Sequence, residues 1–310
     1  MPHPTYGGIE AGGTKFVCVV GTPPEDIRAE VRIPTTTPAE TLALVTTFFR
    51  DAQTTHGPMR ALGIGAFGPL DLRRGSSTYG HITSTPKAGW AHTDLAATLA
   101  RALDVPVTLD TDVNAAVIGE SRYGAARGLD TCLYLTVGTG VGGGALVNGR
   151  LLHGLGHPEM GHVRVPHDLA ADPYSGRCPF HGDCLEGLAS GPAIAERWGQ
   201  AAHALPPHHA AWDLEARYLA LALHDVVCTL SPQRIVLGGG VMAAPGLLAR
   251  VRRQLALLLN GYLDAPELRD LERFVVAPGL GGRAGVVGAL TLAADQFPDG
   301  GGTGGAGGFI

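Results

Sequence analysis

Two segments of the chain share one pattern, an apolar run, a glycine-rich turn and a second apolar run. The first, YGGIEAGGTKFVCVVG, covers residues 6–21, and the second, CLYLTVGTGVGGGALVNGRLL, covers residues 132–152. Each pattern predicts a strand, a glycine turn and a second strand. The second unit begins about 125 residues after the first, so we interpret the pair as an internal duplication. One unit would open each lobe of a two-lobed protein.

The glycine turns have the composition of anion-binding loops. Gly12 and Gly13 let backbone N–H groups approach an anion, and Thr14 and Lys15 add a hydroxyl and a positive charge. Taken alone, this turn is equally consistent with a simple hairpin. A P-loop is excluded because G-x₄-G-K-[ST] is absent. The second turn spells G-x-G-x-x-G at 138–143, the pattern of a dinucleotide-binding loop. A dinucleotide-binding fold needs a helix after this pattern, whereas a strand is predicted here, so the match is weak.

The rest of the chain alternates apolar runs with amphipathic segments, which is typical of an α/β protein. Helices are predicted at 38–55, 94–103, 113–124, 190–200, 213–231, 246–260 and 284–296. Further strands are predicted at 61–71, 105–112, 232–242 and 274–280. Residues 84–92, STPKAGWAH, are interpreted as a loop, most simply a turn.

A short stretch of cysteines and histidines has the spacing of a metal site. Cys178, His181 and Cys184 form C-x₂-H-x₂-C, and three such ligands within seven residues can surround one ion. A tetrahedral zinc needs a fourth ligand, for which His162 is the best candidate. The competitors are His153, His157 and His167. The alternative is two buried thiols beside surface histidines.

Asp112 follows a predicted strand and precedes a predicted helix. Its ordinary role there would be to cap the helix. Its functional role would be that of a carboxylate at the carboxyl end of a strand, where α/β proteins place ligands. Asn114 would lie in the first turn of the same helix. Asp110 is the rival carboxylate, but its position within the strand favours a structural role.

Charge and composition exclude some classes of function. The formal net charge is −5 without a basic run, which argues against nucleic acid as a partner. No apolar run approaches the roughly 18–20 residues of a membrane span. The first ten residues lack the features of a signal peptide, and no cysteine spacing indicates disulfides, so a cytoplasmic location is expected. Cys18, Cys132 and Cys228 lie in apolar runs and are expected to be buried.

Eight motifs, in order, resemble the ROK family of bacterial sugar kinases, and most of all its zinc-containing fructokinases. They are GGIEAGGTKF, TPKAGW, TDVNAA, GTGVGGG, HPEMGH, the Cys/His cluster, EGLASGPAI and LGGGVM. The resemblance covers residues 6–296. It implies the two-lobed α/β hexokinase/actin/Hsp70-like ATPase fold, built from duplicated ribonuclease H-like domains. It also implies phosphoryl transfer from ATP to the 6-hydroxyl of D-fructose.

The resemblance assigns Asp112 as the catalytic base and gives three further sets of residues. Those expected to bind ATP and Mg²⁺ are Glu10, Gly12, Gly13, Thr14, Lys15, Gly138, Thr139, Gly140, Gly142, Pro192, Gly239, Gly240, Val241, Met242, Ala243 and Ala244. Those expected at the sugar are Gly68, Pro69, Lys87, Gly89, Trp90, Asn114, Glu159, His162 and Glu186. The zinc ligands would be His162, Cys178, His181 and Cys184.

The sequence departs from the family pattern at two points. His181 replaces a cysteine of the commoner C-x-C-x₄-C cluster, although two cysteines and two histidines are an ordinary zinc set. Glu10 stands where many relatives carry Asp, and its longer side chain can still hold a hydrated Mg²⁺.

The resemblance also suggests how the chain is organised. The N-terminal lobe is expected at 1–120, completed by the helix at 284–296, and the C-terminal lobe at 121–283. The glycine-rich composition of the chain's end separately predicts a disordered tail at 297–310. A homodimer is expected. Kinases for glucose, mannose or N-acetylmannosamine remain alternatives. A sugar-sensing repressor is disfavoured because no helix-turn-helix precedes the first strand, and a nicotinamide-dependent dehydrogenase because Glu159 lies in a loop.

Overall fold

The computed structural model describes residues 4–298, which form two five-stranded sheets and the helices that cover them. Most of the tail expected at 297–310 lies outside this range. Phe297 and Pro298 are within it, and their carbonyl oxygens accept hydrogen bonds from Tyr6 and Arg60. Those two residues therefore belong to the folded part of the chain.

The first sheet has the strand order β3-β2-β1-β4-β5. Its strands are β1 (Tyr6–Ala11), β2 (Lys15–Thr22), β3 (Asp26–Pro34), β4 (Leu62–Ala66) and β5 (Val107–Thr111). The pairings β1–β2 and β2–β3 are antiparallel, whereas β1–β4 and β4–β5 are parallel. Helices α1 (Pro38–His56) and α2 (Ala96–Leu103) connect the later strands.

The second sheet repeats this arrangement strand for strand, with the order β8-β7-β6-β9-β10. Its strands are β6 (Cys132–Val137), β7 (Val141–Val147), β8 (Arg150–Leu151), β9 (Arg234–Gly238) and β10 (Val275–Val276). The pairings β6–β7 and β7–β8 are antiparallel, and β6–β9 and β9–β10 are parallel. The shared topology confirms the duplicated two-lobed fold inferred from the two glycine hairpins.

The helices α3 (Asp112–Tyr123) and α10 (Ala284–Gln296) lie between the two sheets. Helix α10 packs on the first sheet, and α3 contacts both sheets. Gly288 permits the close crossing of these helices, because a β-carbon there would lie 1.7 Å from the carbonyl oxygen of Ala115. The lobe boundary expected at residue 120 lies within α3, so a helix and not a linker joins the lobes.

The remaining helices cover the outer face of the second sheet or lie in its connections. They are α4 (Leu185–Ala189), α5 (Gly191–Trp198), α6 (Ala211–Leu230), α7 (Leu247–Leu259), α8 (Pro266–Arg269) and α9 (Leu271–Phe274). Side chains of β6 alternate between the two faces, and both faces are covered. Leu133 and Leu135 pack with α6 and α7, whereas Cys132 and Tyr134 pack with α3.

Two sequence-based expectations about this fold are wrong. No strand was expected at Asp26–Pro34, because charged residues interrupt its apolar pattern, as is common for a strand at the edge of a sheet. Cys228 is exposed, since it lies on the outer surface of α6, whereas Cys18 and Cys132 are buried as expected. Among the described residues, no helix combines the length and apolar character needed to cross a membrane.

Candidate active site and metal centre

Asp112 is the first residue of α3 and follows directly on β5. The cap of the helix is Thr111, whose hydroxyl accepts a hydrogen bond from the Asn114 amide (3.1 Å). The capping role considered for Asp112 therefore belongs to its neighbour. The Asp112 carboxylate accepts a hydrogen bond from the Val113 amide (2.9 Å), and burial raises the pKa of Asp112 to about 6.

The first turn of α3 is in contact with both lobes. On one side, a β-carbon at Gly65, in β4, would lie 3.3 Å from the Cα of Asp112. On the other side, a β-carbon at Gly144, in β7, would lie 2.5 Å from the carbonyl group of Val113. The second glycine hairpin thus packs directly on the turn that carries Asp112. Only a glycine backbone permits this approach.

Two further carboxylates, Glu10 and Glu159, interact with Asp112, and a third, Glu186, interacts with Glu159. Burial and, secondly, the charge of Asp112 raise the pKa of Glu10, at the end of β1, to about 7. Partial burial, followed by the charges of Glu186 and Asp112, raises the pKa of Glu159 to about 7. Glu186 accepts a hydrogen bond from the Val141 amide, which follows the second glycine turn (3.0 Å). Four acidic residues distant in sequence therefore converge in one region, suited to bind hydroxyls or a cation.

The first glycine turn is open to solvent. The Gly12 amide donates to the carbonyl oxygen of Lys15 (3.0 Å), and the Thr35 hydroxyl donates to that of Gly12 (2.7 Å). A β-carbon at Gly13 would meet no atom within 4 Å, and Thr14 and Lys15 are exposed. A ligand can therefore approach the backbone of this turn.

The second glycine turn meets two other segments expected to bind the nucleotide. The Gly191 amide, at the start of α5, donates to the carbonyl oxygen of Gly138 (2.7 Å). A β-carbon at Gly138 would lie 3.9 Å from the amide nitrogen of Gly240. Ser190 caps α5, and Pro192 lies in its first turn. Val241 is buried in the core with only 4% of its surface exposed, so its side chain is not available to a nucleotide.

In the TPKAGW loop expected at the sugar, the tryptophan is buried, whereas the glycine is exposed and the lysine is partly buried. Trp90 is wholly buried, with its indole N–H donating to the Thr36 carbonyl (2.8 Å), so its side chain offers no surface to a ligand. Its ring lies 5.6 Å from that of Phe67, beside the cis Gly68–Pro69 peptide, and therefore supports that loop. Gly89 has a φ of +79° and is exposed, and Lys87 is partly buried.

Asn114 also differs from its expected role. Its side-chain amide donates to the carboxylate of Asp110 (2.7 Å), and only 1% of its surface is exposed. The same carboxylate lies 2.9 Å from Nε2 of His153. In this structure Asn114 is therefore a partner of Asp110 and has almost no surface for direct sugar contact. Asp110 has the structural role expected of it.

His157 was not expected at this site. It was considered only as a zinc ligand, yet its Nε2 accepts a hydrogen bond from the Leu70 amide (2.9 Å), next to the Gly68–Pro69 loop. The motif HPEMGH contains this residue, but the contact joins positions 87 residues apart. Nothing in the local sequence indicates such a pairing.

The four expected zinc ligands lie together, and their ligand atoms are all within 4.8 Å of one another. Nδ1 of His162 is 3.4 Å from Sγ of Cys184 and 3.6 Å from Sγ of Cys178, which is 3.6 Å from Nδ1 of His181. Zn–S bonds of about 2.3 Å and Zn–N bonds of about 2.0 Å give tetrahedral edges of roughly 3.3–3.8 Å. The donor set therefore fits zinc.

The three histidines that competed with His162 for the fourth ligand position have other partners. His153 pairs with Asp110 and His157 with Leu70, whereas Nε2 of His167 lies 3.0 Å from the carbonyl oxygen of Asp172. His162 is thus the fourth member of the cluster. The knuckle itself is closed by reciprocal backbone hydrogen bonds between Cys178 and Gly182 (3.1 and 2.9 Å).

The fold, the glycine turns and the converging carboxylates are together those of a sugar kinase of the ROK type. The ROK family model matches residues 6–296, and the chain belongs to the ROK family. A fructokinase from Zymomonas mobilis subsp. mobilis is 46% identical, over 93% of this chain and 96% of its own length.

Two solved structures show the same fold. The ROK hexokinase from Thermus thermophilus is 29% identical with a TM-score of 0.75, covering 96% of this chain and 100% of the other. A ROK family glucokinase from Streptomyces griseus, solved in complex with glucose and AMPPNP, is 27% identical with a TM-score of 0.72. That alignment covers 93% of this chain and 99% of the other.

Proposed function

We propose that this protein is an ATP-dependent fructokinase that converts ATP and D-fructose to ADP and D-fructose 6-phosphate. Its identity to the Zymomonas mobilis fructokinase is 46%, against 27–29% to the ROK glucokinase and hexokinase of known structure. The glucokinase was solved with a hexose and an ATP analogue, which supports the same two kinds of substrate here. The observation that carries the proposal is the placement of Asp112 at the start of α3, where the first turn packs between β4 of one sheet and β7 of the other and the carboxylate interacts with Glu10 of the first glycine hairpin.

In this mechanism Asp112 is the general base. Its carboxylate accepts the proton of the 6-hydroxyl while that oxygen forms a bond to the γ-phosphorus of ATP. The bond between the γ-phosphorus and the bridging oxygen breaks, and ADP leaves with that electron pair. Phosphoryl transfer depends mainly on alignment and charge stabilisation, which the fixed turn at the start of α3 supplies. Glu159 and Glu186 would accept hydrogen bonds from other sugar hydroxyls.

Backbone amides would hold the nucleotide. Gly12 to Lys15 would bind the phosphates from one lobe, and Gly138 to Gly142 from the other. The adenosine would lie near Pro192 and the turn at 239–244, where the glycines expose backbone. Glu10 would hold a hydrated Mg²⁺, which neutralises charge on the phosphate oxygens when it is bound.

The Cys/His cluster would hold a structural zinc. A structural site uses four protein ligands and leaves no open position. The ligand atoms of His162, Cys178, His181 and Cys184, all within 4.8 Å of one another, support such a set. Glu159 and Glu186 flank this cluster in sequence, so the metal would also fix the loops that present both carboxylates. The family resemblance further supports a homodimer in the cytoplasm, for which light scattering should give twice the 32.0 kDa chain mass.

A panel of hexoses tests this function. Purified protein with ATP and Mg²⁺ should give the highest kcat/KM with D-fructose, by at least about tenfold over glucose, mannose and N-acetylmannosamine. ³¹P NMR of the product should show the 6-phosphate. A higher kcat/KM with another hexose would replace fructose by that sugar, and no phosphorylation of any hexose would overturn the kinase proposal.

A further inference from the structure

The loop after β8 connects the two lobes through its histidines. Nε2 of His153 lies 2.9 Å from a carboxylate oxygen of Asp110, on β5 of the first sheet. Nε2 of His157 accepts the hydrogen bond from the Leu70 amide, after β4 of the same sheet. A segment that belongs to the second sheet thus makes two polar contacts with the first.

The hydrogen bond to His157 defines the state of its ring. A backbone N–H can only donate, so Nε2 must carry a lone pair and the proton of the neutral imidazole must lie on Nδ1. Nδ1 is 3.5 Å from a carboxylate oxygen of Glu159. Burial lowers the pKa of His157, which favours this neutral ring. His157 therefore presents an acceptor to the Leu70 amide, while its Nδ1–H faces the backbone of Pro158 and lies 3.5 Å from Glu159.

The two partners of His157 belong to segments expected at the sugar. Leu70 follows the cis Gly68–Pro69 peptide, and the Pro69 carbonyl is held by the amide of Thr83 (2.7 Å). The Glu159 side chain is 43% exposed and its carboxylate interacts with that of Asp112. The His157 side chain is only 5% exposed and so has little surface for substrate. It joins a loop of one lobe to a carboxylate of the other.

We propose that His157 is a positioning residue that fixes the Gly68–Pro69 loop and Glu159 relative to each other for hexose binding. This inference rests on the proposed function, because it names what sets the geometry of the same site. The required group is an acceptor at the position of Nε2. Loss of that acceptor should weaken hexose binding selectively, because a small misplacement of contact groups is costly.

The test compares His157→Gln with His157→Phe. Glutamine can present an acceptor to the Leu70 amide, whereas phenylalanine fills similar space without one. We expect His157→Phe to raise the KM for fructose about tenfold or more, with the KM for ATP and kcat within about threefold of wild type. His157→Gln should keep the KM for fructose within about threefold. His208→Phe, at an exposed histidine, is the matched control.

A second measurement needs no substrate. In wild type, ¹⁵N NMR of the imidazole should show the Nδ1–H tautomer, and hydrogen exchange of the Leu70 amide should be slow. Exchange should become faster in His157→Phe and remain slow in His157→Gln.

The outcomes separate this inference from the proposed function. If His157→Gln and His157→Phe had the same KM for fructose, His157 would only fill space. The same conclusion would follow if the KM for fructose and the KM for ATP rose together and Tm fell. Fast exchange of Leu70 in active wild type would also overturn the inference and leave the fructokinase proposal intact. A slow Leu70 amide in a protein inactive on all hexoses would instead overturn the function, and with it the role assigned to His157.

Discussion

Two opposing effects act on the carboxylate of Asp112. The N-terminus of α3 and the hydrogen bond from the Val113 amide stabilise its charged form, which lowers the pKa. Burial destabilises that form, and it is the larger effect, since the pKa is raised to about 6. The result is a base that is ionised at neutral pH and still has appreciable affinity for a proton.

Replacing Asp112 by asparagine keeps the size of the side chain and removes its basicity. Asp112→Asn should lower kcat by about 10²–10⁴-fold, the usual contribution of a general base. Fructose binding by calorimetry should remain within a few-fold, and Tm should not fall. Asp51→Asn, on the exposed surface of α1, is the control. Turnover near that of wild type would remove Asp112 as the base.

The raised pKa of Asp112 also predicts a pH dependence. The base must be ionised, so kcat/KM for fructose should fall as the pH drops through about 6, by at least about tenfold per unit below it. Burial raises the pKa values of Glu10 and Glu159 to about 7, so the decline should begin near pH 7. An ordinary aspartate, with a pKa of about 3.9, would retain full activity to about pH 5. A profile from pH 4.5 to 8 with direct measurement of ADP checks this. Constant kcat/KM down to pH 5 would contradict it.

At the scale of elements, the knuckle at 178–184 has little apolar material to stabilise it. Phe180 at its tip is 64% exposed, whereas Cys178 and Cys184 are buried beneath it. Such a loop is stabilised mainly by a bound metal and by its few backbone hydrogen bonds. The order of this segment should therefore depend on metal content.

Cys184→Ser tests this dependence. Wild type should contain one zinc per chain by elemental analysis, and the variant should lose it. Loss of the metal should lower Tm by roughly 5–10 °C. Cys228→Ser removes an exposed thiol outside the cluster and should change neither quantity. A variant that retains both zinc and Tm would show that Cys184 is not a ligand.

The packing of α3 against α10 can also be tested. Gly288→Ala places a methyl group 1.7 Å from the Ala115 carbonyl oxygen, so the helices must separate. Such overpacking should lower the free energy of unfolding by about 1–3 kcal/mol. Gly282→Ala, where a β-carbon meets no atom within 4 Å, is the control. Urea denaturation of both variants measures the difference, and equal midpoints would contradict the close packing.

At the scale of the whole molecule, much of the architecture was predictable from local patterns. The two glycine hairpins gave the duplication, because strand, turn and strand are encoded by consecutive residues. The grouping of the Cys/His residues was likewise predicted from residue type and spacing. The place of Asp112 between a strand and a helix was predicted in the same way, whereas its role as the base stays a prediction from the resemblance. The observed helix α1 (Pro38–His56) matches the prediction of 38–55 closely, since its apolar positions recur with helical period and Thr37 caps it.

Contacts between distant segments were not predictable in this way. The pairing of His157 with Leu70 and that of His153 with Asp110 depend on how the lobes come together. Trp90 and Asn114 were expected at the sugar from their motifs, but tertiary packing determines that one faces the core and the other faces Asp110. A motif identifies a segment near a site without fixing which side chains reach it.

The interlocked helices predict how the whole chain unfolds. Each lobe has an apolar cluster of its own, but α3 packs on both sheets and α10 covers the first sheet and α3, so helices shared between the lobes cover a face of the sheets. Calorimetry should show one cooperative transition for the protein, with equal calorimetric and van't Hoff enthalpies. Two separated transitions would mean that the lobes are independent folding units.

The start of α3 touches β4 on one side and β7 on the other, and this has a consequence for motion. Suppose that one lobe rotates against the other while the first turn of α3 keeps its contacts with β4 and β7. The axis of that rotation must then lie close to the first turn of α3. Points near an axis of rotation are displaced least. Asp112 would then stay nearly stationary on opening, as the pivot around which substrates enter and products depart.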